Sequence, residues 1–69
     1  MTVVKIVELI GNSPNSWEEA AKNAIDEAAK TVRKIKGFDV KRFTAKVKEN
    51  KIVEYRAVVR IAFVVDNDI

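Results

Sequence analysis

The sequence has no cysteine and no histidine, one proline, two glycines and one tryptophan. Without cysteine no disulfide can stabilise the fold, and without both residues the usual zinc ligands and nucleophile–base pairs are missing. A chain of 69 residues buries only about 60% of its unfolded surface. Of the ways in which small domains gain stability, association between copies is the one that remains.

Long apolar runs are also missing. No stretch reaches the ~20 apolar residues that a membrane-spanning helix needs. The apolar N-terminal segment carries Lys5 and Glu8 and has no small-residue cleavage site after it. We therefore predict a soluble, cytoplasmic protein that forms a single domain over residues 1–69 and has no membrane partner.

The net charge of +3 is unevenly distributed. Residues 30–51 contain nine basic and two acidic residues, which gives 9 − 2 = +7 for this part of the chain. Such an excess favours anionic ligands or nucleic acid. The alternative is a solvated surface whose charges pair with acidic parts of neighbouring copies. We favour the solvated surface, so nucleic acid is not the expected partner, and a small basic nucleic-acid-binding protein is kept as an alternative function.

Patterns of apolar residues predict the order strand, helix, strand, strand. The first strand covers residues 2–10 and a turn covers residues 11–15. Ser16 is the predicted N-cap of the helix, with Glu19 completing a capping box. Apolar residues at three- and four-residue spacing extend the helix until Gly37 ends it.

Two further strands are predicted over residues 38–48 and 53–65, joined by a polar turn at residues 49–51. The apolar phase of the second strand changes across Lys41 and Arg42, which predicts a β-bulge there. The third strand would span about 43 Å, whereas a compact chain of this length has a diameter of about 28 Å. The strand must therefore curl or extend towards another copy. The predicted class is α+β, with a β-α-β-β order and a three-stranded antiparallel sheet wrapped around one helix.

Three segments of the sequence resemble those of the dodecin family. They are the turn and helix start Gly-Asn-Ser-Pro-Asn-Ser-Trp-Glu-Glu-Ala-Ala at residues 11–21, Gly-Phe-Asp-Val at 37–40, and Glu-Tyr-Arg-Ala-Val-Val-Arg-Ile-Ala-Phe at 54–63. The resemblance covers almost the whole chain and implies a dodecameric shell of β-α-β-β subunits. It implies a non-enzymatic role in which a small ligand is bound and stored, and some bacterial members also bind coenzyme A.

The ligand implied by the resemblance is a flavin, either FMN or riboflavin, held in pairs at subunit contacts. Family members stack the flavin on a tryptophan at the start of the second strand and hydrogen-bond it from a glutamine on the third strand. This sequence has Gly37 and Arg56 at those positions. The combination is similar to the calcium dodecin branch, so calcium and, separately, an anionic ligand that carries phosphate remain alternatives to flavin.

The candidate ligand-binding residues are therefore Gly37, Phe38 and Arg56, and no catalytic residues are predicted. Arg56 and Arg60 share one strand face, and we expect salt bridges with acids such as Asp39 or Glu54 across strands or subunits. Trp17 is expected to pack against the core or an interface. Metal ligands are not assigned; the candidate carboxylates for calcium are Glu18, Glu19, Asp66 and Asp68, with Asn67.

Overall fold

The computed structural model describes residues 2–66. Its elements are β1 (Thr2–Ser13), α1 (Trp17–Ala29), β2 (Ile35–Lys48) and β3 (Lys51–Asp66). The strands form one antiparallel sheet in the order β1-β3-β2, so the longest strand is central. The predicted α+β class, β-α-β-β order and three-stranded antiparallel sheet are confirmed.

The start of α1 is fixed by hydroxyl and carboxylate groups. Ser16 is the N-cap, as predicted, and its Oγ accepts the N–H of Glu19 at 3.0 Å. The N–H of Ser16 donates to the buried Oγ of Ser13 at 3.3 Å rather than to the Glu19 carboxylate. Glu19 Oε2 instead accepts from the Ser13 hydroxyl at 3.1 Å and the Asn15 amide at 2.8 Å. These bonds tie the end of β1 to the first turn of α1.

The end of the helix was predicted wrongly. The apolar spacing extends to Ile35, but α1 ends at Ala29 and Ile35 pairs with Phe63 in the sheet. Lys34 adopts a positive φ of 60° and its carbonyl accepts the N–H of Val64 at 3.1 Å. Pairing with β3 therefore overrides the helical pattern, and Gly37 lies inside β2 rather than at a helix terminus.

The predicted turn after β1 also began too early. Gly11, Asn12 and Ser13 continue the strand and pair with residues 57, 56 and 55 of β3. Gly11 is buried under the helix, and a Cβ there would overlap the Ala20 carbonyl oxygen and lie 2.9 Å from the Ala24 Cβ. The glycine serves the close approach of α1 to β1, not a turn.

Register shifts shape β2 and β3. The predicted bulge is confirmed: Val40 and Arg42 face consecutive residues of β3, which leaves Lys41 as the extra residue. Two further shifts lie between Ile35 and Gly37 and near the tip of the hairpin. The hairpin turn has positive φ at Glu49 (51°) and Asn50 (62°), the geometry of a type I′ two-residue loop.

The core cluster lies on one face of the sheet, and the buried Val58 of β3 lies on the other. Helix alanines pack against β3 residues that alternate along the strand and against apolar residues of β1 and β2. The opposite face, which we call the uncovered face, carries exposed apolar side chains on β1. The core residues are Ala20, Ala21, Ala24, Ala28, Ala57, Val59 and Ile61, and the exposed ones are Val4, Ile6 and Ile10.

The chain is elongated. Its principal extents are 56 × 19 × 13 Å and its radius of gyration is 14.4 Å. A folded monomer of 7.8 kDa is expected to expose about 4,400 Å², whereas this chain exposes 5350 Å². The excess is on the order of 1,000 Å² and includes the uncovered face.

Candidate functional site

The three predicted ligand-binding residues do not meet within one chain. Gly37 lies opposite Ala62 and Phe38 lies opposite Ile61, so their positions point to opposite faces of β2. Arg56 is six residues before Ala62 along β3, about 20 Å away. A site that uses all three residues therefore needs more than one copy of the chain.

Each of these residues is accessible. Phe38 is 51% exposed, which leaves much of its ring available for stacking. A Cβ built on Gly37 meets no atom within 4 Å, so the space beside β2 is open at this point. Because β2 is an edge strand, a planar group can approach Phe38 from the side of the sheet. The chain therefore offers one aromatic surface to a flavin but not the tryptophan of the family pattern.

The two arginines of β3 are paired with the acids that the sequence indicated, within one chain. Arg56 Nε donates to Glu54 Oε1 at 2.6 Å, along the same strand. Arg60 donates from Nη2 to Asp39 Oδ2 at 2.6 Å, across to β2. The hydrogen bond from Arg60 to Asp39 and the attraction between their charges raise the pKa of Arg60 above its ordinary value. Arg60 therefore stays charged at every physiological pH.

Trp17 joins the helix to the hairpin. Its Nε1 donates to the Thr44 carbonyl at 2.7 Å. Its ring stands edge-on to Tyr55 at a centroid distance of 4.9 Å and is tilted against Phe43 at 6.0 Å. These contacts agree with the expectation that Trp17 packs within the protein and does not stack on a ligand, although the residue is 38% exposed.

The described carboxylates of one chain do not form a calcium site. Among the side chains that the structure describes, no three carboxylates lie close enough together to hold a metal ion. Glu19 already accepts two hydrogen bonds from Ser13 and Asn15. Asn67 and Asp68 lie outside the described residues. Because calcium takes six to eight oxygen ligands, the described residues fit a calcium ion only if several copies contribute.

The basic residues between Lys30 and Lys51 belong to several elements of the fold. They are spread from the end of α1, along the full length of β2, to the hairpin turn. Lys30 pairs with Glu27 at 3.0 Å, and Lys41 pairs with Glu8 at 3.5 Å. Some of the basic charge is therefore neutralised within the chain, and the absence of a nucleic-acid partner stays a prediction from the sequence.

In the described part of the chain, no helix has the length and apolar character needed to cross a membrane.

The fold and its exposed surfaces define a class. The chain is a small β-α-β-β protein with one helix packed on one sheet face and with exposed apolar side chains of β1 on the other. The profile of the Dodecin family matches residues 3–66, and the chain belongs to the dodecin family. Dodecins are small self-assembling proteins, and the homologues are oligomeric.

Relatives and solved structures agree with this assignment. The dodecin of Thermus thermophilus is 36% identical over 61 residues, which cover 88% of each chain. The calcium dodecin of Mycobacterium tuberculosis is 33% identical over 63 residues, covering 91% of this chain and 89% of that protein. The structure of an arginine-to-alanine variant of the Thermus thermophilus dodecin is 33% identical and superposes with a TM-score of 0.92, covering 97% of this chain and 100% of that one.

Proposed function

We propose that this protein is a non-enzymatic dodecin that assembles into a shell of twelve copies and stores a small ligand at the contacts between them. The observation that carries the proposal is the exposed apolar surface. Ile6 and Ile10 are each 61% exposed and Val4 is 58% exposed, all on one sheet face. The exposed area exceeds that of a typical monomer of this mass by roughly 1,000 Å², more than the ~800 Å² that one partner contributes to a standard interface.

The mass of the particle in solution tests the assembly. Twelve copies of a 7.8 kDa chain give a mass of about 94 kDa, because 12 × 7.8 = 93.6. Size-exclusion chromatography with light scattering is expected to give this mass at micromolar chain concentration. Folded single chains of 7.8 kDa under the same conditions would contradict the proposal.

The ligand that we propose is a flavin held between copies, with Phe38 of one copy and Arg56 of another. Phe38 offers a half-exposed ring at the edge of the sheet. Arg56 offers a cation that binds Glu54 in the isolated chain and matches the phosphate of FMN in charge and geometry. Calcium, suggested by the name of the Mycobacterium tuberculosis relative, is the alternative. The cytoplasmic location stays a prediction from the sequence.

Titration with riboflavin and FMN tests the ligand. The flavin fluorescence is expected to be quenched on binding. Phe38→Ala is expected to lower the affinity for both flavins about 10-fold, because one aromatic contact is lost. Arg56→Ala should lower the affinity for FMN more than the affinity for riboflavin, because only FMN carries a phosphate. Arg33→Ala, which removes an exposed cation outside the sheet, is the control.

Isothermal titration with calcium completes the comparison. Saturable heat of calcium binding, together with flavin fluorescence that is not quenched, would show that the ligand is calcium and not flavin. Equal weakening of riboflavin and FMN by Arg56→Ala would remove the phosphate contact from the proposal.

A further inference from the structure

Four charged side chains cross the uncovered face where Glu8 interrupts the apolar residues of β1. We call them the charge row: Glu8, Arg60, Asp39 and Lys41. Arg60 lies opposite Glu8 on one side and opposite Asp39 on the other, so the sign alternates across three strands. Arg60 donates to Asp39 Oδ2 from Nη2 at 2.6 Å and from Nε at 3.1 Å. Lys41 Nζ lies 3.5 Å from Glu8 Oε2.

The bulge in β2 supplies the fourth charge. Lys41 is the extra residue between Val40 and Arg42. Because β3 lies between β2 and β1, the Lys41 side chain crosses over β3 to reach Glu8. Two cations and two carboxylates then cancel, and the row carries no net charge.

The neighbours of the row on β1 and β3 are apolar, whereas Arg42 follows it on β2. Ile6 and Ile10 flank Glu8 on β1, and Ala62 and Val58 flank Arg60 on β3. The four charged side chains are roughly half exposed, between 47% and 57%. Ion pairs as exposed as these add little to the stability of a single chain. The stability of the isolated chain therefore does not account for four charges placed beside the apolar residues of β1 and β3.

A second copy of the chain is the occupant that these observations favour. The area exposed beyond that of a typical monomer is roughly 1,000 Å², enough for one side of a standard interface. A partner of one strong charge gains nothing from a row whose charges cancel. A second copy carries the same alternation of positive and negative side chains. Opposite charges of the two rows face each other in only a limited set of registers.

We propose that the charge row fixes the register in which a second copy of the chain covers the uncovered face. The inference rests on the proposed self-assembly. Arg60 uses Nε and one Nη group on Asp39, so its other Nη group has donors for a carboxylate of the second copy. Apolar side chains supply the attraction, and the row excludes registers in which like charges meet. Removing one member leaves an uncompensated charge inside the contact, which is strongly unfavourable.

Single neutralisations test the row. Arg60→Met and Lys41→Met are expected to raise the chain concentration at half-assembly at least about 100-fold, as measured by light scattering on a dilution series. Lys22→Met is the matched control, since Lys22 pairs with Asp26 at 3.1 Å on the outer surface of the helix. It should assemble as the natural sequence does. Circular dichroism checks that each variant is folded, and Lys41→Met stands in if Arg60→Met does not fold.

Neutralising the whole row separates register from attraction. The variant with Glu8→Gln, Asp39→Asn, Lys41→Met and Arg60→Met buries no unpaired charge, so it should assemble but with a broad distribution of masses. A single mass equal to that of the natural protein would overturn the inference. Wild-type assembly and mass in Arg60→Met and Lys41→Met would also overturn it while leaving the proposed function intact. A natural chain that stays single would overturn both.

Discussion

Replacing Gly11 with alanine is expected to lower the free energy of unfolding by about 3 kcal/mol or more, at the upper end of the range for overpacked sites. The added Cβ would overlap the carbonyl oxygen of Ala20 and approach the Ala24 Cβ to 2.9 Å. The overlapped oxygen belongs to the helix backbone, so no side-chain rotation can relieve it. Chemical denaturation followed by circular dichroism measures the loss.

The second glycine gives a matched control. Gly37 also lies in a strand, but a Cβ there meets nothing within 4 Å. Gly37→Ala should leave the free energy of unfolding unchanged or raise it by about 0.5–1 kcal/mol, because glycine is unfavourable inside a strand. Equal losses for the two variants would show that the approach of α1 to β1 is not as close as described.

Ile61→Ala is expected to lower the free energy of unfolding by about 2–5 kcal/mol, the usual range for truncation of a buried isoleucine. Ile61 is 0% exposed and packs in the cluster that includes Ala57 and Val59 of β3 and the helix alanines. Its contacts lie within one chain. The loss should therefore be nearly the same at low and high chain concentration in denaturation experiments.

Ile6→Ala removes the same atoms from the uncovered face and serves as the comparison. Ile6 is 61% exposed in the single chain, so its truncation should cost an isolated chain little. If copies cover this face, the loss should grow with chain concentration, because assembly stabilises the folded state by mass action. A concentration-dependent loss for Ile61→Ala, or none at all for Ile6→Ala, would contradict this division between the two faces.

The fold class followed from the sequence because local signals and apolar patterns agreed over most of the chain. Ser16 capped the helix as its side chain predicted, and the phase change at Lys41 marked a real bulge. The end of the helix was predicted wrongly because Val32 and Ile35 fit the helical spacing as well as they fit the start of a buried strand. Ile35 packs against the core in either case, so its burial was predictable but its secondary structure was not. The pairing with Phe63 that decided it is a long-range contact.

The candidate site was less predictable. Gly37, Phe38 and Arg56 were selected from the family resemblance, which places the ligand at contacts between copies. Within one chain, Gly37 pairs with Ala62, about 20 Å along β3 from Arg56. The charge row was not predicted as a unit. The only sign of it in the sequence is Glu8, a carboxylate among alternating apolar residues of β1. The residues beside Glu8 are known only once the register of the three strands is known.

The single tryptophan has a practical consequence. From the first turn of α1, the Trp17 indole bonds to the backbone of β2 at Thr44 and stands against Tyr55 of β3. Its intrinsic emission therefore reports whether the helix is docked on the hairpin, without any attached dye. Since the signal comes from one position, detachment of the helix can be timed separately from dissociation of the copies.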